Sequence, residues 1–241
     1  MSTLPTAYGW VRAAGVASLM LLCQAASATP ITWNATTDFS TTNSTNVNGV
    51  WSYGSTGASL TGAFTSYATP LRAGTYYYWQ DGASQPSMGK AIGGHAQNVP
   101  NNTLDIHPGM NGEYAVLRFL ATNSGQYSVD AAFWANSVQT TTDIHILADG
   151  VQQFSGAVLA SAPHLNPSWT GTLTMTAGDF IDIAVGRGSD SWVGDSTGFS
   201  AIISYIGPGS PSSDLPEPGS AVLLISGVAL LAARLRRRTK A

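Results

Sequence analysis

A single cysteine, Cys23, occurs among 241 residues, and it falls in an apolar stretch near the start of the chain. Everything after that stretch lacks a thiol, which excludes disulfides and thiolate metal sites and leaves the apolar core to hold the fold together. Charge is scarce as well: Asp, Glu, Lys and Arg make up 10% of the sequence, and Glu113 and Glu217 are its only glutamates. Five of the ten basic residues (Arg234, Arg236, Arg237, Arg238 and Lys240) are crowded into the last eight positions. Between Thr29 and Leu215 four basic side chains stand against twelve acidic ones, a formal net charge of −8. Phosphates would be repelled by such a region, so nucleic-acid binding is disfavoured. Also missing between Thr29 and Gly207 is any capped segment with a helical apolar period, which turns the reading toward strands.

What is present begins with two apolar ends. Arg12 precedes an apolar run from Ala13 to Leu22, and Ala26-Ser27-Ala28 then offers small residues at Ala26 and Ala28, where a signal peptidase reads. Residues 1–28 are therefore a secretory signal, cleaved before Thr29, since the run is too short for a retained anchor. A lipidated Cys23 is the minor alternative, disfavoured because Leu22 stands where that processing takes a small side chain. At the other end, Gly219 to Ala233 carries no charge. As a helix it would measure roughly 22 Å, against a hydrocarbon core of about 30 Å. Starting near Pro218 and letting Arg234 snorkel brings it to the span of a thin membrane. The arginines behind it hold the C-terminus in the cytoplasm by the positive-inside rule, which agrees in orientation with an N-terminal signal. A buried helix of a soluble domain is the alternative, but it would need a polar face that Ala221 to Leu231 does not have.

Pro216-Glu217-Pro218, a short apolar helix and the Arg234, Arg236, Arg237, Arg238 cluster, in that order over 216–241, resemble the PEP-CTERM sorting signal of exported bacterial proteins. The resemblance implies two partners during export, a signal peptidase at the front and a membrane-embedded exosortase that cuts near the triplet. It also implies transient residence in the inner membrane and delivery to the cell surface or an extracellular matrix, in organisms that make exopolysaccharide. Residues 208–215, rich in Pro, Ser and Gly, read as a linker.

The segment 29–207 reads as one all-β domain, a single antiparallel β-sandwich. Tyr127, Val129, Ala131, Phe133 and Ala135 alternate with Ser128, Asp130, Ala132, Trp134 and Asn136, the period-two signature of a half-buried strand. Asp149-Gly150 is a hairpin signal between "TTDIHILA" and "VQQFSGAV", Ala177-Gly178-Asp179 is a further turn, and "FSAIISYI" is the last strand. Short strands at such spacing favour a sandwich or jelly roll. The part from Thr29 to Pro108 is polar and punctuated by aromatics, and is expected to supply edge strands and long loops. The succession from "HPGMNGEYAVLRF" to "DSTGFSAII", about residues 104–206, is similar in outline to the jelly-roll carbohydrate-binding modules of exported bacterial proteins, a resemblance that implies fold and compartment more than activity.

Catalytic chemistry finds little to stand on. Gly194-Asp195-Ser196-Thr197-Gly198 has the letters of a serine-hydrolase elbow, but the segment after it reads as a strand where an elbow needs a helix. A glycosidase needs a pair of facing carboxyls, and nothing pairs Glu113 with a particular aspartate. His95, His107, His145 and His164 have no zinc-site spacing. No catalytic residue is assigned, and the expectation is a non-enzymatic protein. Carbohydrate binding has the better physical case, because sugar C–H faces stack on aromatic rings. Tyr77 and Trp79 in "TYYYWQ", Trp134 on the polar phase of its strand and Trp192 in a Gly/Ser-rich loop are the candidate ligand contacts. No cofactor is required; Asp190 and Asp195 are the candidate oxygen ligands if Ca²⁺ stiffens that loop. The expected role is that of an exported, exosortase-sorted surface or matrix protein whose β-sandwich binds a polysaccharide. The alternative is an extracellular hydrolase of polysaccharide or ester bonds.

Overall fold

The structure, a computed structural model, describes residues 30–42, 47–82, 86–96, 98–161 and 164–208. The signal segment with Ala26 and Ala28, nearly all of the linker, and the tail with Pro216, Glu217, Pro218, Arg234, Arg236, Arg237 and Arg238 lie outside them. Among the described residues no helix is long and apolar enough to cross a membrane.

Eight strands account for the second half: β8 (Leu104–His107), β9 (Ala115–Leu120), β10 (Gly125–Ala135), β11 (Thr141–Ala148), β12 (Val151–Leu159), β13 (Ser168–Met175), β14 (Phe180–Gly186) and β15 (Thr197–Gly207). They fall into two antiparallel sheets, β13-β10-β15-β8 and β12-β11-β14-β9, each strand following its predecessor into the opposite sheet except β12, which forms a hairpin with β11. That is the strand order of a jelly roll. The β11–β12 hairpin turns on Asp149 and Gly150, both at positive φ (47° and 76°), the backbone that a two-residue turn between twisted strands requires.

The first half extends both sheets: β1 (Ile31–Asn34), β2 (Val47–Asn48), β3 (Trp51–Ser55), β4 (Thr65–Ser66), β5 (Thr69–Ala73), β6 (Tyr76–Gln80) and β7 (Ser87–Ala91), with a four-residue helical turn, α1 (Ala35–Asp38), capped by the Asn34 side chain. One sheet continues as β8-β7-β6-β5, with β1 on the free part of β15. The other continues as β9-β3-β2, with β4 on β3. This half does supply the edge strands β5 and β2 expected of it, but it supplies interior strands as well: β3, β6, β7 and β8 have neighbours on both sides.

One core lies between the sheets. From one side it takes Tyr127, Val129, Phe133, Phe199 and Ile203, from the other Trp51, Tyr53, Leu117, Phe119, Ile144 and Ile183. Each large side chain so buried contributes about 2–3 kcal/mol. The outer face of the second sheet is covered too. The Arg118 guanidinium makes a bidentate pair with Asp182 at 2.7 Å and lies between the rings of Phe64 and Phe180.

Candidate functional site

The outer face of the first sheet carries a pocket of about 250 Å³. Its floor comes from alternate residues of neighbouring strands. On β6 the residues Tyr77 and Trp79 turn inward, so Tyr76, Tyr78 and Gln80 point out; on β8, Leu104 and Ile106 enter the core, so Asp105 and His107 point out. The walls are two loops: the β7–β8 connection, with Ala96, Asn98 and Val99, and the β14–β15 connection, with Trp192 and Ser196.

Asp105 is the hub. Ser196 Oγ donates to Asp105 Oδ1 at 2.5 Å, Asn136 Nδ2 donates to the same oxygen at 3.0 Å, and Tyr76 OH donates to Oδ2 at 2.9 Å. Asn136 is held in turn by Trp134 Nε1 at 3.1 Å. Register makes this convergence possible. Asp105 pairs with Gly198 on one side and Gly89 on the other, so the outer face beside the carboxylate has no side chain in either adjacent strand. A Cβ on Gly89 would lie 2.6 Å from the Tyr76 hydroxyl; one on Gly198 would fall within the Trp134 indole. Two glycines thus let a tyrosine from β6 and the Trp134–Asn136 pair reach one aspartate.

The pocket's other surfaces are equally determined. Tyr76 and Tyr78 stack at 5.0 Å, while Ala91, Ala96 and Val99 pack against Tyr76. Burial, then the adjacent Asp105 carboxylate, push the Tyr76 hydroxyl far above its ordinary range, so it remains a proton donor. Trp192 stands edge-on to His107, with centroids 5.7 Å apart, and His107 Nδ1 lies 2.9 Å from the Pro108 carbonyl.

The loop bearing Trp192 and Ser196 is pinned by side chains from β11 and the turn before it. Thr140 Oγ1 donates to the Ser196 carbonyl at 2.8 Å, the Thr141 amide donates to Asp195 Oδ1 at 2.9 Å, and the Gly188 amide donates to Asp143 Oδ1 at 2.7 Å. Asp195 is fully buried, its Oδ2 has no hydrogen-bond partner, and burial pushes its carboxyl up to about 6. The Thr141 hydroxyl lies 2.6 Å from Asp190 Oδ1 and 3.2 Å from Asp195 Oδ1. Among the described residues no three acidic, His or Cys side chains are grouped to hold a metal.

Of the aromatic residues singled out from sequence, Trp192 lines the pocket and Trp134 braces it through Asn136. Trp79 is enclosed in the core with its Nε1 on the Ser40 carbonyl, and Tyr77 packs against the core beneath Arg72. Tyr76, Tyr78 and Asp105 are among the pocket residues that sequence reasoning passed over. Glu113 is not among the lining residues; its carboxylate accepts from the Asn111 amide and side chain in a tight turn. Ser196 is followed by β15, a strand, so the elbow geometry is absent.

No family model matches the chain, and no curated protein does. Among solved structures the chain is similar to a family 35 carbohydrate-binding module from Clostridium thermocellum (13% identity, 56% of this chain and 95% of that one, TM-score 0.31). It is similar also to a family 51 module from a Clostridium perfringens enzyme, solved with methyl-galactose (8%, 71% and 99%, 0.32). A third is the Podospora anserina β-(1,4)-mannanase with its family 35 module (11%, 78% and 30%, 0.32). Superpositions at this level relate the chains only loosely, and the chemistry of the pocket is decided by its own side chains.

Proposed function

We propose that the domain is the carbohydrate-binding part of an exported, exosortase-sorted protein of the cell surface or extracellular matrix, and that it is not itself an enzyme. The observation that carries this reading is a pocket combining aromatic surfaces (Tyr76, Tyr78 and Trp192) with polar groups fixed by a hydrogen-bonded network (Asp105, Ser196). Stacking surface beside fixed polar groups is what a sugar ring needs. Affinity electrophoresis and a glycan array test it: retardation by at least one polysaccharide, lost in Trp192→Ala, is expected, and no binding to any glycan overturns it. The export reading rests on the residues of the two ends, and mass spectrometry of the surface fraction tests it. A mature chain beginning at Thr29 and ending near Pro216 is expected; an intact Lys240-Ala241 terminus would refute tail cleavage.

A hydrolase is the second reading, favoured by one observation: Ser196 meets a carboxylate within hydrogen-bond reach inside a concave pocket. Against it, the Asp105 carboxylate already accepts from two other donors, and His107 Nδ1 is turned to its neighbour's carbonyl. Release of p-nitrophenol from aryl esters that disappears in Ser196→Ala would establish it in place of the first.

A further inference from the structure

The proton inventory of the pocket specifies more than a sugar. Ser and Tyr hydroxyls each have one hydrogen to give. Ser196 and Tyr76 both spend theirs on Asp105, which leaves only lone pairs for a ligand. Asp105 itself accepts three hydrogen bonds, and a carboxylate has about four acceptor positions, so one stays open. Beside the carboxylate, Ser196 and Tyr76 therefore present lone pairs rather than hydrogens to a ligand.

Charge points the same way. The four basic residues between Thr29 and Leu215 are all engaged elsewhere: Arg72 on the Gly74 carbonyl, Lys90 on the Thr36 carbonyl, Arg118 on Asp182, and Arg187 on the Met110 carbonyl. None lines the pocket. Asp105 thus meets only the neutral donors Ser196, Asn136 and Tyr76, and Tyr76, Tyr78 and Trp192 are the aromatic residues of the same lining. A carboxylate with aromatic rings around it attracts a cation through both its charge and the ring quadrupoles, and a group bearing several N–H donors matches the acceptors of Asp105, Ser196 and Tyr76.

Resting on the carbohydrate reading above, we infer that the pocket receives the ammonium group of an amino sugar, held between Asp105 and the Tyr76, Tyr78 and Trp192 rings. Uronic acids and sulfated sugars are rejected by the same charge. Calorimetry with four probes separates this inference from the reading beneath it: β-1,4-linked trimers of glucosamine, N-acetylglucosamine and glucose, and spermidine as a sugar-free cation.

Glucosamine trimer binding about tenfold or more tighter than either neutral trimer, with spermidine weaker still, is the expected result. Equal binding of the three trimers leaves the carbohydrate reading standing and overturns the ammonium inference. Spermidine binding as tightly as the glucosamine trimer makes the sugar irrelevant and overturns both. Absence of binding by all four overturns the ammonium inference, while the carbohydrate reading is decided by the glycan array. Asp105→Asn is expected to erase the preference for the amine over the neutral trimers; full retention of the preference refutes the role given to Asp105. Should that variant not fold, Trp192→Ala, on a loop, is expected to weaken the glucosamine trimer with an unchanged Tm, and unchanged binding would refute the aromatic part.

Discussion

Gly198 stands directly opposite Trp134 across the β10–β15 pair, and the space a methyl group would need there is filled by the indole ring. Gly198→Ala must displace Trp134, and with it Asn136 from Asp105. A loss of about 1–3 kcal/mol is expected, the range for overpacking, together with weaker ligand binding. Urea unfolding and calorimetry check it; an unchanged midpoint would mean that the indole has room to move.

The Arg118–Asp182 pair gives a larger effect. Asp182 is 5% exposed, and burial, opposed by Arg118, pushes its carboxyl above the ordinary range. Arg118→Ala leaves that carboxyl without its partner and empties the space between Phe64 and Phe180. The expected cost is about 3 kcal/mol or more by denaturant unfolding. Replacing both partners with apolar residues is expected to recover most of it.

Asp195 predicts stability in the other direction. With its carboxyl raised to about 6 by burial, above an ordinary value of about 3.9, the native state favours the protonated form. The stability contributed by protonation is complete below the unfolded-state value and is lost as pH rises through the native one. Asp195→Asn keeps an acceptor for the Thr141 amide and removes the buried charge. It is expected to stabilise by about 1–2 kcal/mol at pH 7, with the advantage vanishing near pH 4. A pH series of thermal melts decides, and a variant that is less stable at pH 7 would show the charge to be compensated by something the loop binds, Ca²⁺ included.

Asp143 behaves oppositely. Burial alone would raise its carboxyl, but His145 Nε2 at 2.8 Å, the Gly188 amide at 2.7 Å and the Tyr114 hydroxyl at 3.1 Å hold it below the ordinary range. Its contribution is present above the unfolded-state value and lost as pH falls through the native one. Asp143→Asn is expected to cost on the order of 1 kcal/mol at pH 7, and the difference from wild type to close below about pH 4. Melting curves at matched ionic strength measure it.

The jelly-roll half was legible where a strand is buried on one face and wet on the other, as in β10, where alternate residues from Tyr127 to Phe133 are buried, while β14 is buried on both faces. The Asp149-Gly150 turn was legible because two successive positive φ angles demand such residues. The pocket was not. In β6 aromatic residues occupy both faces, so sequence alone could not say that Tyr76 and Tyr78, rather than Tyr77 and Trp79, face outward; the core on one side and Gly89 on the other decide it. In β7 and β8 the outer face is roofed by a loop, which blurs the alternation. The Ser196–Asp105 contact joins residues 91 positions apart and exists only because β15 lies beside β8. Glycines within strands, Gly89 and Gly198, were the local hints that something large crosses there.

The final strand of the fold has a bearing on how the molecule is made. β15 sits between β10 on one side and both β1 and β8 on the other. Until the ribosome has released residues 197–207, the first sheet has a gap at its centre and β1 has nowhere to dock. Ile31 and Tyr205, paired across β1 and β15, bring the two ends of the domain to the same rim of the sheet.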